Sequence, residues 1–158
     1  MLNALLATLH PTRAQAWHGG PTPSGSLRGV TATQARWKPA RGRHSIWELV
    51  LHIAYWNYAV RRHLEPVPER FPRAPANWPS VPPPERADAR AWAADRALLA
   101  DEHARLVRAV RCFPTTRWNR VPPEAKRWTF GEMIVGIAAH DVYHTGQIQL
   151  LKRLWRVR

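Results

Sequence analysis

Residues 129–155 have the sequence TFGEMIVGIAAHDVYHTGQIQLLKRLW, in which apolar and polar residues follow a helical pattern. Thr129 and Glu132 have the spacing of a capping box, in which a hydroxyl and a carboxylate each satisfy a free backbone N–H. Apolar residues then recur every three or four positions, as on one face of an α-helix. His144 lies within that apolar face and His140 lies at its border. The stretch therefore predicts one long helix that carries two imidazoles toward the protein interior.

A second capping box begins the stretch HSIWELVLHIAYWNYAVRRHL, residues 44–64. Ser45 supplies the hydroxyl and Glu48 the carboxylate, and two prolines after Glu65 end the pattern. A third histidine, His52, lies beside the apolar face of this predicted helix. That face consists of Leu49, Ile53, Trp56, Val60 and Leu64.

A third helix is predicted over residues 84–111, because apolar residues recur there at helical spacing. Residues 65–84 are rich in proline and predict a long extended connection, which in a bundle crosses one end or covers a site. The first 37 residues predict only a weak helix at 2–13 and a short helical turn at 26–37. No strand pattern is present, so we expect an all-α, single-domain four-helix bundle spanning residues 1–158.

The net charge of +13 raises the hypothesis of nucleic-acid binding. The basic residues are almost all arginine and are spread along the chain without a long cluster, so we expect a solvated surface instead. The nucleic-acid alternative predicts an affinity that falls steeply with salt.

The lone cysteine, Cys112, excludes an internal disulfide framework and fits a reducing cytoplasm. We expect its thiol to be buried and inert. No apolar run has membrane-spanning length, and the N-terminal residues lack the basic start of a secretory signal. The expected location is therefore cytoplasmic, without membrane association.

Three histidines at these positions predict either a metal site or a set of packed core residues. Residues four apart on a helix lie about 6 Å apart along its axis, so His140 and His144 can both reach one ion. His52 would then contribute from a neighbouring helix, leaving at least one coordination position open. The alternative is that the three rings bond to backbone carbonyls or to tyrosines. The spacing alone leaves both interpretations open.

The stretches 44–64 and 130–154 resemble the second and fourth helices of the DinB/YfiT-like superfamily of bacterial proteins. Residues 17–19 (WHG) and 29–31 (GVT) resemble its first helical segment and the turn after it. The resemblance covers most of the chain and is least secure over residues 65–84. It implies an up-down-down-up bundle with a long connection between helices two and three, often assembled as a homodimer.

The resemblance also implies one divalent metal ion, nickel or zinc, held by His52, His140 and His144. Some relatives are thiol-dependent S-transferases or isomerases that use low-molecular-weight bacterial thiols, and others are thought to be metal-dependent hydrolases. We therefore expect a small-molecule substrate. The competing hypothesis is a metal-binding or stress-related protein without turnover.

Several further residues near these histidines are candidates for a role in the site. Asp141 points about 100° away from His140 on the helix. We expect it to form a surface or inter-subunit ion pair; a hydrogen bond to an imidazole of a neighbouring helix is the less favoured role. We expect Glu48 to act as a helix cap rather than as a general base. We expect Gln147 and Tyr143 to pack beside the site; hydrogen bonds from them to a substrate are the less favoured role. We assign the remaining histidines to loops, packing or surface, and these are His10, His18, His44, His63 and His103.

The chain also has nine tryptophans, and eight of them fall into two groups. One group lies on or beside the predicted helical faces, and we expect core or dimer-interface positions for Trp47, Trp56, Trp92 and Trp155. The other group lies in connections, where it would cover a pocket or the bundle ends, and consists of Trp37, Trp78, Trp118 and Trp128.

Overall fold

The computed structural model describes residues 2–10, 20–65, 68–125 and 127–158, with side chains from residue 5 onward. These residues form α-helices and short turns and contain no strand, which confirms the all-α prediction. The helices are α1 (Leu2–Leu9), α2 (Pro23–Ser26), α3 (Ala32–Arg36), α4 (Ile46–Leu64), α5 (Ala89–Cys112) and α6 (Phe130–Arg156). Two 3₁₀ turns, Pro84–Arg86 and Thr115–Arg117, precede and follow α5.

Both predicted capping boxes are formed, and they place the starts of α4 and α6. The backbone N–H of Ser45 donates to Glu48 at 2.8 Å, and the N–H of Glu48 donates back to the Ser45 hydroxyl at 3.2 Å. Thr129 and Glu132 repeat this exchange at 2.7 and 3.2 Å. The two helices that carry the three histidines therefore begin within one residue of the predicted positions.

The start of α5 differs from the prediction. The predicted helix began at residue 84, but residues 84–86 form a separate 3₁₀ turn and the α-helix begins only at Ala89. The reason is a local cap, since the Asp88 carboxylate accepts a hydrogen bond from the Ala91 N–H at 2.7 Å. Such a cap satisfies one of the free donors of the first turn and fixes the helix start there.

Helix α4 packs against both α5 and α6, while α1 lies against α5 and α6. One group of buried residues surrounds the first half of α4 and includes Trp47, Leu99 and Ile148. A second group fills the space between the end of α5 and the start of α6 and includes Leu106 and Ile134. His52 and its neighbours on α4 therefore lie on a helix covered from two sides. No helix in the described part of the chain has the length and apolar character needed to cross a membrane.

The proline-rich connection contains no helix in its described residues, 68–83, and is anchored to the helices by polar contacts. Asp95 on α5 is fully buried and accepts hydrogen bonds from the Trp47 indole at 2.8 Å and from Arg73 at 2.7 Å. The Tyr58 hydroxyl donates to the Glu69 carbonyl at 3.0 Å. Side chains of α4 and α5 thus hold this connection against the bundle.

One burial prediction was wrong. Cys112 was expected to be buried, but it is exposed as the last residue of α5. Trp56 was expected in the core or at a dimer interface; 37% of its surface is exposed, so it does not lie in the core, and the dimer-interface position stays a prediction. Helical periodicity places a residue on a face, but it does not show whether a neighbouring element covers that face along its whole length.

The buried Asp95 contacts yield a stability prediction. Asp95→Ala removes a charged acceptor and leaves the buried Trp47 N–H without a partner, so we expect a loss of about 3 kcal/mol in the free energy of unfolding. The matched control is Asp101→Ala on the same helix, whose exposed carboxylate pairs with Arg105 at 2.9 Å. Because exposed ion pairs contribute little, this variant should lose under about 1 kcal/mol. Urea unfolding measures both, and equal losses would contradict the role given to Asp95.

Candidate metal centre

Three imidazoles from two helices meet where α4 and α6 face each other. His52 comes from α4 and His140 and His144 come from α6, and one ring nitrogen of each lies within 4.8 Å of the other two. Nε2 of His52 lies 3.1 Å from Nε2 of His140. His52 and His144 are buried, each with 6% of its surface exposed, and His140 is half-buried. We call these three residues the histidine cluster.

Each ring of the histidine cluster presents its Nδ1 to an oxygen acceptor outside the cluster. Nδ1 of His52 donates to the Asn77 carbonyl at 2.6 Å, and Nδ1 of His144 donates to the Gln147 side-chain oxygen at 2.6 Å. Nδ1 of His140 lies 3.5 Å from a carboxylate oxygen of Asp141. A neutral imidazole carries one N–H, so a donating Nδ1 leaves Nε2 with a free lone pair.

This arrangement fits a divalent cation. Two unprotonated Nε2 atoms at 3.1 Å repel each other unless a proton or a cation lies between them. Two nitrogen ligands about 2.05 Å from one tetrahedral or octahedral ion lie ~2.9–3.3 Å apart, which brackets the observed separation. Imidazole nitrogens suit zinc and nickel, whereas calcium and magnesium prefer oxygen ligands. The three histidines could therefore hold one zinc or nickel ion.

Burial keeps two of the three rings, those of His52 and His144, neutral and able to act as ligands. Burial lowers the pKa of His52 to about 4, the Asn77 hydrogen bond opposes this shift, and the nearby His144 and His140 add to it. Burial also lowers the pKa of His144, although the Gln147 hydrogen bond opposes it. Metal binding requires the neutral form of imidazole, which His52 and His144 adopt at pH 7.

A loop of the proline-rich connection covers the cluster on the α4 side. The Trp78 indole is stacked on His52 with ring centroids 3.8 Å apart, and its other face is stacked on His44 at 3.7 Å. Asn77 adopts φ +67°, a left-handed conformation that asparagine tolerates better than most residues. Its side-chain oxygen accepts the Trp56 indole N–H at 2.9 Å while its carbonyl binds His52. The connection therefore shields one side of the cluster from water.

Asp141 belongs to a buried polar network, which corrects the expectation of a surface ion pair. Only 3% of its surface is exposed, and both carboxylate oxygens accept hydrogen bonds from the Asn57 amide at 3.0 and 3.1 Å. His103 on α5 donates to the Asn57 oxygen at 3.1 Å and lies 3.6 Å from Asp141. Burial alone would raise the pKa of Asp141, but hydrogen bonds from His103, His140 and Asn57 hold it below its ordinary value. The ionised carboxylate thus faces imidazoles of two helices.

The other candidate residues near the site make different contacts. Glu48 acts as a cap, as expected, and also binds Lys38 at 2.7 Å. Gln147 does more than pack, because it accepts from His144 and donates to the Tyr143 hydroxyl at 3.0 Å. His44 lies outside the histidine cluster on the far face of Trp78. His18 lies outside the described part of the chain, as does the whole stretch 17–19 that resembles the first helical segment of the family.

The sequence missed the roles of Asn77, which binds His52, and of His103, which contacts Asn57 and Asp141. His103 recurs at helical spacing with the apolar residues of α5, and this signal could have placed it in the interior. Trp78 was expected to cover a pocket or a bundle end, and it is stacked on His52. Asn77 lies in an irregular loop, whose approach to α4 no local pattern predicts.

One family model matches the chain, and its description is the DinB superfamily. It matches residues 24–148, which is well over half of the chain and includes His52, His140 and His144. No curated protein and no solved structure matches the sequence significantly. The chain belongs to the DinB superfamily.

Proposed function

We propose that this protein is a divalent-metal-dependent enzyme, an S-transferase or a hydrolase, in which His52, His140 and His144 hold one nickel or zinc ion. The observation that supports this most strongly is the common orientation of the rings. His52 and His144 direct Nδ1 to oxygen acceptors, and the Nε2 atoms of His52 and His140 face each other at 3.1 Å. Membership of the DinB superfamily supports the same function.

Three neutral ligands suit an enzyme better than a purely structural site. A structural site is normally closed by a fourth protein ligand, and no fourth His, Cys, Asp or Glu joins the cluster among the described residues. A divalent ion held this way supplies a Lewis acid that favours the deprotonated form of a thiol or a water. Asn77 and Gln147 fix the orientation of two of the rings, and Trp78 excludes water from one side.

We also propose a substrate class, a cellular location and an assembly state for this protein. The substrate is a small molecule, with a low-molecular-weight thiol as a candidate cosubstrate, and the protein acts in the cytoplasm as a homodimer. We also propose that the chain is one domain in which α1, α4, α5 and α6 form an up-down-down-up four-helix bundle. The contacts of α4 and of α1 with both α5 and α6 support this arrangement.

A metal-binding protein without turnover is the second candidate, and one observation favours it. Both carboxylates considered beside the site are already engaged, since Glu48 caps α4 and Asp141 is bonded to Asn57. Neither is free to act as a general base. Assays of the metal-loaded protein with thiol cosubstrates and with ester substrates separate the two candidates. Turnover that disappears with the metal supports the enzyme, and metal-loaded protein that is inert with both substrate classes supports the second candidate.

The first prediction from this proposal concerns metal content. Wild-type protein reconstituted with zinc or nickel should retain one ion per chain after gel filtration, as measured by elemental analysis. His144→Ala should lose it, because two imidazoles from separate helices hold a divalent ion weakly. His63→Ala is the matched control, since this histidine lies on α4 outside the cluster. Retention by His144→Ala at wild-type stoichiometry would contradict the assignment.

The second prediction concerns stability. An ion bound only by the folded state, at 100 times its Kd, stabilises the protein by about 2.7 kcal/mol. Removing it with a chelator should therefore lower the melting temperature by about 5–11 °C, as followed by circular dichroism. The His144→Ala protein should show no response to zinc or to the chelator. A wild-type melting temperature that is independent of metal would count against the site.

A further inference from the structure

A groove lies directly beside the histidine cluster. It has a volume of about 770 Å³ and is bounded by α4, α6 and the segment that joins α5 to α6. This volume lies within the range of roughly 300–1,000 Å³ that is usual for small-molecule sites. The apolar side chains that form most of its wall are Trp56, Val60, Trp118, Trp128, Met133 and Ile137.

The groove connects with the histidine cluster through His140. This ring forms part of the groove wall, while its Nε2 lies 3.1 Å from Nε2 of His52. The Trp56 ring, also in the wall, lies 6.2 Å from the His140 ring. A molecule in the groove therefore has one end beside the cluster.

The charge of the lining indicates what the groove binds. The chain carries 24 Lys and Arg residues, yet none of them is among the described residues that line the groove. The lining carboxylate, Glu132, accepts the Thr129 N–H at 2.7 Å as a cap. A site for phosphate or another polyanion would place cations here. Three indoles and a thioether instead suit a flat apolar group.

We infer that this groove binds an uncharged, aromatic-sized apolar part of the substrate and places the substrate's polar reacting group at the histidine cluster. The inference rests on the proposed metal site and adds the substrate class to it. The groove wall is partly open, with 51% of Trp128 and 53% of Val135 exposed. Such apolar exposure is also typical of an interface between two copies of a chain. Sedimentation velocity distinguishes a small-molecule site from such an interface.

The test compares two hydroxamic acids that share one metal-binding head. Acetohydroxamic acid has only a methyl tail, whereas β-naphthohydroxamic acid carries a flat apolar tail of the size that fits the groove. On zinc-loaded full-length protein, calorimetry should show the naphthyl compound binding about 50-fold more tightly than acetohydroxamic acid. Burial of the naphthyl rings favours binding, and the loss of freedom of the ligand and the side chains offsets part of that gain. Equal affinities would overturn the inference while leaving the metal site intact.

Two matched glycine substitutions locate the effect. Gly136 lines the groove and Gly146 does not, both are exposed on α6, and a Cβ added at either meets nothing within 4 Å. Gly136→Leu should fill the groove and reduce the naphthyl preference to under about 5-fold, without change in zinc content. Gly146→Leu should keep the full preference. A preference that survives in Gly136→Leu would overturn the inference.

Two further measurements separate the remaining outcomes. Where zinc does not bind, the proposed function fails, and β-naphthol is then titrated into metal-free protein to test the groove alone. Binding that Gly136→Leu abolishes supports the apolar site, and no binding overturns it. Sedimentation velocity identifies the alternative occupant. Dimers that Gly136→Leu dissociates, together with equal affinities for the two hydroxamic acids, would show that a second copy fills the groove, which contradicts the inference.

Discussion

Three imidazoles held between α4 and α6 need partners for both nitrogens of each ring, and this need determines the contacts around them. Burying a polar group without a hydrogen bond costs several kcal/mol. The protein meets part of this need itself, because Asn77 and Gln147 accept from Nδ1 of His52 and His144. The nitrogens on the inner side meet one another, at 3.1 Å for His52 and His140. One cation would satisfy that side and remove the repulsion between lone pairs.

The proline-rich connection and the buried polar contacts keep these partners in place. The connection brings Asn77 and Trp78 onto His52, and its own position depends on Arg73 bound to the buried Asp95. Oxygen acceptors on the outer nitrogens of metal-binding histidines fix ring orientation and tautomer. Both helix starts are fixed by capping boxes, which set the depth of the histidines along α4 and α6. A site built on capped helices and covered by a loop is thus ordered before any ligand arrives.

The sequence predicts much of this arrangement, and its failures have identifiable causes. Capping boxes and periodicity predicted α4 and α6 to within one residue, because both signals are local. They left open whether the three histidines meet, and only the resemblance to the DinB superfamily implied the common site in which the structure places them. The start of α5 was missed because a 3₁₀ turn and the Asp88 cap interrupt a pattern that periodicity alone continues. Trp56 and Cys112 proved exposed because coverage of a helix face depends on its neighbours. The role of Asn77 depends on where a loop lies, which is determined by tertiary contacts.

X-ray absorption spectroscopy of the zinc-loaded protein would show whether imidazoles of α4 and α6 share one divalent ion. We expect three imidazole nitrogens at about 2.0–2.1 Å, with the remaining coordination filled by exchangeable light atoms. Selective ¹⁵N labelling of histidine should show His52, His140 and His144 binding through Nε2. A zinc shell made only of oxygen atoms, or histidine signals that do not change when zinc is added, would contradict the account.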